Sequence, residues 1–192
     1  GFMIAGALLS MWISNTASIL MLMPVALAVL ASCSDRNSLA APLLLGLAWS
    51  CSIGGLGTPI GTPPNLILVQ VYEESTAQTI SFGQWMSWGM PVVLTLLPLA
   101  WWWVTRAVPR ELDILVPAVG PWRSAERRVL VVFGLTAVAW ITRAEPFGGW
   151  QTWLDLPAAN DASVALLAVV ALFVVRDDQG EPLIDWAKAS QI

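Results

Sequence analysis

Apolar positions in this chain come in long uninterrupted runs, and the polar positions fall in a few compact groups. No Asp, Glu, Lys or Arg occurs from Gly1 to Ser34, or again from Asn37 to Tyr72. Each run carries a polar, helix-breaking island near its middle: Ser10-Met-Trp-Ile-Ser-Asn-Thr16 in the first and Gly54-Gly-Leu-Gly-Thr-Pro-Ile-Gly-Thr-Pro-Pro-Asn65 in the second. The first run is long enough for one membrane-spanning helix of about 20 residues with some left over. The break at 14–16 and Pro24 argue instead for a re-entrant hairpin over residues 1–31, in which 1–13 enter, 14–16 turn and 17–31 return. Ser, Asn and Thr are favoured N-caps, so the returning arm starts at this tip.

A polar loop at 32–38 leads into a half-helix over 39–53 with Pro42 in its first turn. The glycines and Pro59 of the second island cannot continue it, because Gly is entropically costly in a helix and Pro lacks the N–H donor. Pro63 and Pro64 can open a new helix, so residues 39–73 read as one broken transmembrane helix. Residues 73–78 read as an exposed acidic loop, 82–88 as a short interfacial segment and about 86–105 as a span. After a polar loop at 106–128, two shorter apolar runs are expected to span at about 127–143 and 161–176, with Arg128, Arg143 and Arg176 snorkelling to extend them. An interfacial helix is expected at about 182–190. The fold class is all-α integral membrane: a polytopic helical bundle with a re-entrant hairpin and a broken helix.

Composition agrees with that class. Only 11% of the 192 residues are charged and 57% are apolar, against about 25% charged in a soluble domain. The lack of a basic patch with interleaved aromatics gives no sign of nucleic acid. His is absent, which removes the usual metal ligand and general base. Cys33 and Cys51 are isolated and read as small apolar residues.

Eight of the nine basic residues (Arg36, Arg106, Arg110, Arg123, Arg127, Arg128, Arg176 and Lys188) fall in one set of loops, and only Arg143 falls in the other. The basic bias places the first set in the cytoplasm, with Glu73 and Glu74 outside. Of the twelve Trp, those at 85, 88, 101–103, 122, 150 and 153 lie near span ends, as in an interfacial aromatic belt. The expected location is a bacterial inner (plasma) membrane.

The islands then suggest chemistry. Broken backbone at membrane depth is tolerated only where protein buries it or where it lines a cavity, and discontinuous helices build many transporter sites. The helices that start after 14–16 and after 62–64 would each offer unpaired N–H groups and a partial positive charge, favouring carboxylate, sulfate or phosphate. Asn15, Thr16, Thr62 and Asn65 add side-chain donors. Carbonyls from the preceding half-helices, with the oxygens of Ser10, Ser14 and Asn15, form a hard-oxygen cage suited to Na⁺. Ser10 and Ser14, four apart, share one side of the incoming arm.

Neither island holds a carboxylate or base, which argues against a proton relay. A multivalent anion among neutral donors needs countercharge, and bound Na⁺ is its simplest source, although an exchanger could work without it. Two plainer readings stand beside this one: small polar residues also glue membrane helices, and the Gly-rich stretch can be a simple connection. That stretch lacks the Lys of a phosphate-binding loop and misses G-x-G-x-x-G by one residue.

The two islands, in this order and spacing, resemble the divalent anion/sodium symporter family, which includes dicarboxylate, citrate and sulfate transporters. Ala159-Asn-Asp-Ala-Ser163 and Pro182-Leu-Ile-Asp-Trp-Ala-Lys-Ala189 are also similar to that family. The resemblance implies that Ser14, Asn15 and Thr16 bind one Na⁺ and a substrate carboxylate, that Ser10 is a further Na⁺ ligand, and that backbone oxygens at Gly57 and Gly61, in the loop to Asn65, complete the Na⁺ site. It implies a permease built from two inverted repeats, dimeric when full length and moving its substrate by an elevator motion, with no organic cofactor and no enzymatic activity.

No second Ser-Asn-Thr-like hairpin is found, so the chain is expected to be a fragment covering the end of the first repeat and the start of the second. Its start within apolar sequence, with no charged n-region or cleavage site, fits a fragment and not a signal peptide. On this reading residues 1–73 belong to a transport domain and 74–192 to scaffold and connecting helices. The expected substrate is a dicarboxylate such as succinate, in Na⁺ symport. A sulfate transporter or anion exchanger of the same family is the alternative, and a non-transporting membrane subunit is the reading from a different class.

Overall fold

The computed structural model describes residues 1–33, 35–106, 108–109, 120–144 and 148–186. Among the described residues the regular elements are eight α-helices, and an isolated β-bridge joins Arg176 and Pro182. The chain divides into two compact units, Gly1–Ala118 and Val119–Ile192.

The first unit holds α1 (Phe2–Ser10), α2 (Asn15–Ala31), α3 (Arg36–Gly54), α4 (Pro63–Thr76) and α5 (Phe82–Thr105). Local chemistry sets most of the starts. Ser14 caps α2 by accepting from the Ala17 N–H at 3.3 Å, Asp35 caps α3 by accepting from Ser38 N–H at 3.3 Å, and Ser81 caps α5 by accepting from Gln84 N–H at 3.1 Å. Pro63 and Pro64 occupy the first turn of α4, where a missing N–H costs nothing. Helices α1, α2 and α3 pack on one another, and α5 lies against α3 and α1. The small core is Ala26, Leu47 and Cys51, edged by Phe2, Ile19, Leu22, Leu43 and Leu44. Large apolar side chains such as Leu20, Ile67, Leu94 and Trp102 cover the outside, an exterior that suits lipid better than water.

By length and composition α3 and α5 can cross a membrane. The 17 residues of α2 would extend about 26 Å.

Several boundaries differ from the sequence expectation: α1 ends at Ser10 and not at 13, α2 starts at Asn15 and not at 17, and the first helix of the second unit starts at Ser124, inside the loop expected to run to 128. Helix α3 begins at Arg36, so Pro42 lies inside it and not in its first turn; the charged group read as loop contains the Asp35 cap. Helix α4 runs on to Thr76, which puts Glu73 and Glu74 in its last turns and not in a loop. Helix α5 is continuous from Phe82 through Pro91 and Pro98 to Thr105, with no separate interfacial piece. Membrane helices tolerate Pro where neighbouring groups re-satisfy the freed carbonyls.

The second unit holds α6 (Ser124–Ile141), the single turn α7 (Gly149–Trp153) and α8 (Asp161–Val174). Helices α6 and α8 pack side by side and are pinned at both ends by arginines of α6 and the turn after it. Arg143, its side chain 18% exposed, pairs with Asp161 at 2.7 Å and donates to Gln151 at 2.9 Å, while Trp140 Nε1 donates to the Asp161 carbonyl at 3.0 Å. Toward the opposite end Arg128 reaches Asp178 at 2.5 Å and also donates to the Arg176 carbonyl. The 14 residues of α8 would extend about 21 Å, shorter than the hydrocarbon thickness of about 30 Å. Of the expected interfacial helix, 182–185 are not helical, Trp186 is, and 187–190 lie outside the described residues, as do Arg110 and Lys188.

Candidate functional site

Helices α1 and α3 lie alongside each other with the same direction. Gly46 faces Met3, Gly6 faces Ser50 and Cys51, and Gly54 faces Ala7, so the contacts advance together along both. Their C-termini therefore arrive at one level. A methyl on Gly54 would sit 2.2 Å from the Ala7 carbonyl oxygen, so only a residue without a Cβ lets the two backbones meet here. The chain leaves α1 at Ser10, turns through Met11–Ile13 and starts α2 at Asn15. It leaves α3 at Gly54 and, after the second island, starts α4 at Pro63.

The two islands meet at Gly55. On one side a methyl at Gly55 would lie 2.4 Å from Asn15 Oδ1. On the other side Asn65 Nδ2 donates to the Gly55 carbonyl at 2.8 Å and to the Thr58 carbonyl at 2.9 Å, and Gly61 packs so closely on the Gly55 carbonyl that a methyl there would come to 2.5 Å. Thr58, fully buried, donates across the islands to the Met11 carbonyl. The C-termini of α1 and α3 and the N-termini of α2 and α4 thus converge on one spot. Negative and positive ends of helix dipoles stand together there, with α2 supplying free N–H groups while α4 opens on two prolines, a setting that favours a cation beside an anion.

The expected site residues take distinct places. Ser10 is fully buried and its hydroxyl donates to Asn15 Oδ1 at 2.5 Å. Asn15 is half-buried; Ser14 and Thr16 are exposed, Ser14 as the cap of α2 and Thr16 in its first turn. Thr62, half-buried, is the N-cap residue of α4 and makes no side-chain capping bond. Gly57 and Gly61 are buried, and Gly57 borders Met11. Asn65 is 5% exposed, and both N–H donors of its amide are used inside the second island. Ser10, Asn15, Gly61 and Asn65 are gathered around Gly55, while Thr16 and Thr62 stand at the two helix starts.

Sequence reasoning passed over Gly55, the meeting point, and Thr58, the cross-link. It also passed over Ser18, a fully buried hydroxyl without a hydrogen-bond partner among the described residues. Ser18 lies four residues after Ser14, the spacing that shares a helix face, and that was the available signal. The donor set is neutral oxygen throughout, which suits a hard cation and not a soft or nitrogen-preferring metal. A separate cavity of about 730 Å³ lies between α1, α3 and α5, lined by Met3, Ala7, Gly46, Val93, Leu97 and Val104 among others. Its walls are apolar and lack the convergent polar groups that orient an anion.

Comparison with known proteins gives the family of the chain. A family model described as citrate transporter matches residues 1–186. The chain belongs to that citrate transporter family, a family of transporters and not of enzymes. Among curated proteins it is similar to the sodium-dependent dicarboxylate transporter SdcS of Staphylococcus saprophyticus, with 31% identity over 216 aligned residues that take in 100% of this chain and 41% of the relative. The protein of the same name from Staphylococcus aureus strain bovine RF122 is 29% identical over the same shares. The chain therefore spans about 41% of the length of the relatives it matches.

Proposed function

We propose that the full-length protein is a permease for divalent organic anions, coupled to Na⁺, and that this chain carries one of its binding sites. The observation that carries the reading is the convergence of four helix ends, two C-terminal and two N-terminal, on Asn15 and Gly55, with the free N–H groups coming from α2 because α4 opens on Pro63 and Pro64. The citrate and dicarboxylate transport in the names of the family and relatives supports an anion with two or more carboxylates. Na⁺ is held by Ser10, Ser14 and Asn15 oxygens with backbone carbonyls near Gly57 and Gly61. One substrate carboxylate lies against the N-termini of α2 and α4, bonded by Thr16 and Thr62. Asn65 shapes the turn from behind. Bound Na⁺ supplies the countercharge that neutral donors cannot, which couples the two fluxes.

On this reading residues 1–31 form a re-entrant hairpin in a bacterial plasma membrane, with the 36–76 helix pair as the broken span. Helix α5, grouped with the scaffold (74–192) in the sequence analysis, packs on α1 and α3, and on this reading it travels with residues 1–73 in an elevator-type movement of a homodimeric carrier built from inverted repeats. The test is Na⁺-driven succinate uptake by the full-length protein in liposomes. Asn15→Ala should raise the Na⁺ concentration for half-maximal uptake with little change in melting temperature. Unchanged Na⁺ activation in that variant would remove the cation site from this tip. Uptake of sulfate instead of succinate, or exchange that ignores Na⁺, would favour the other anion readings.

A further inference from the structure

The opening turns of α5 touch both islands at once. Phe82, Trp85 and Gly89 are three and four residues apart and share one helix face. Phe82 is buried, and its ring stacks on Trp12 of the first island with centroids 6.1 Å apart. Trp85 donates its indole N–H to the Leu56 carbonyl of the second island at 3.0 Å. Gly89 packs on the same place: a methyl there would lie 2.5 Å from the Leu56 oxygen and 3.3 Å from Gly57. The Ser81 cap fixes where α5 starts, and so where this face points.

We propose that this face of α5 is a clamp that sets the spacing between the Asn15 tip and the Gly54–Gly61 turn, which makes Trp85 a positioning residue for the cation. The inference rests on the reading of the islands as a Na⁺ site. A cation bound by oxygens from two separate chain segments is held only as well as the segments are, and a working site needs its ligands fixed within about 0.5 Å. Asn15 and Gly55 are far apart in sequence, so the covalent chain does not fix their separation. Trp85 acts through the peptide of Leu56, next to Gly55: its N–H holds that carbonyl, and the turn cannot swing away from Asn15 without breaking the bond. The Phe82–Trp12 stack holds the first island to the same helix. Trp85 itself touches no cation.

The test is succinate uptake against external Na⁺ for the full-length protein in liposomes. Trp85→Phe keeps a ring and removes the N–H. One lost neutral hydrogen bond should raise the Na⁺ half-saturation roughly three- to tenfold, with the rate at saturating Na⁺ largely kept. Phe82→Leu removes the stack while keeping an apolar side chain and should shift the same parameter in the same direction; it serves where Trp85→Phe yields no folded protein. Trp88→Phe, at a site 52% exposed on the same helix, should leave the half-saturation at the parent value. A merely structural contact would lower the melting temperature of the first two variants without moving the half-saturation, and that result overturns the clamp. If Asn15→Ala shifts Na⁺ dependence while the α5 variants do not, the clamp alone fails. If Asn15→Ala leaves it unchanged as well, the Na⁺ site fails and the clamp with it.

Discussion

The two islands look alike in sequence, each a knot of small polar residues in an uncharged run, yet they are built differently. In the second island the polar groups other than the half-buried Thr62 are turned inward. Gly54, Gly55, Gly57, Thr58, Pro59, Gly61 and Asn65 are all buried, and Asn65 and Thr58 direct their donors to backbone carbonyls. In the first island only Ser10 is buried among the polar residues, Asn15 is half-covered, and Ser14 and Thr16 face out. A buried polar group is tolerated when it is bonded, and removing its partner leaves a costly orphan. On the proposed function, the second island acts as support through the bonded Asn65 and Thr58, while the tip of the first, with Thr62, presents the groups that would meet a ligand. Polarity within a membrane run marks a site, but only the bonding pattern separates the groups that shape it from those that bind.

The sharpest way to break this comparison is at Asn65. Asn65→Ala leaves the Gly55 and Thr58 carbonyls without their shared donor in a buried turn. The cost should be about 1–3 kcal/mol of stability, chiefly from the orphaned Gly55 carbonyl, since the Thr58 carbonyl still accepts from the Gly61 N–H at 3.4 Å. Thermal unfolding of the purified full-length protein in detergent should show a clear fall in melting temperature. A stable Asn65→Ala variant with altered anion affinity would mean that this side chain binds substrate and that the turn is not the rigid partner.

Thr16 should behave in the opposite way. Its side chain is exposed, so Thr16→Ala should leave the melting temperature nearly unchanged. If the hydroxyl bonds a substrate carboxylate, its loss removes about 1.5–3 kcal/mol of binding, or roughly a ten- to hundredfold fall in affinity. Succinate, citrate and sulfate affinities measured beside the melting temperature separate binding from packing. Lowered stability with every affinity intact would make the first island a packing element like the second.

Much of this division could not be read from the chain. The breaks were legible, because Gly, Pro and the Ser14 cap act through local backbone rules. The four helix ends were legible for the same reason. The meeting of Asn15 with Gly55 was not, since it depends on how α1 and α3 pack, and Gly54 and Gly55 looked like any other helix breakers. The role of Asn65 was hidden because one amide can face a ligand or a carbonyl equally well. Helix α5 was divided in the sequence reading at Trp88, where aromatic and Pro signals resemble an interface; in the fold those prolines lie within one helix, and its first turns reach the site. At Asp35 the charged group looked like loop, although an Asp three residues before Ser38 is a cap signal in its own right.

That cap gives the smallest effect and a control for the comparison, because it lies at the end of α3 remote from both islands. Asp35 is fully exposed, and its carboxylate accepts from the Ser38 hydroxyl and the Ser38 N–H. The bonds from the Ser38 side chain, first, and from its backbone favour the charged form and hold the Asp35 carboxyl below its ordinary value. A carboxyl lowered in the folded state contributes stability above its unfolded value and loses it as pH falls through the folded one. The contribution should therefore be present at neutral pH and fade below about pH 4, near the ordinary Asp range. Asp35→Asn keeps an acceptor for the Ser38 N–H but cannot titrate, so its melting temperature should lose this part of the acid dependence. The shift should be smaller than that of Asn65→Ala, and Na⁺ half-saturation should not move in Asp35→Asn at neutral pH. Were the cap variant to alter Na⁺ activation as strongly as a change at the tip, the islands would not be the local machinery described above. General stability of α3 would then set the cation response, and the contrast between a rigid turn and an open tip would lose its functional meaning.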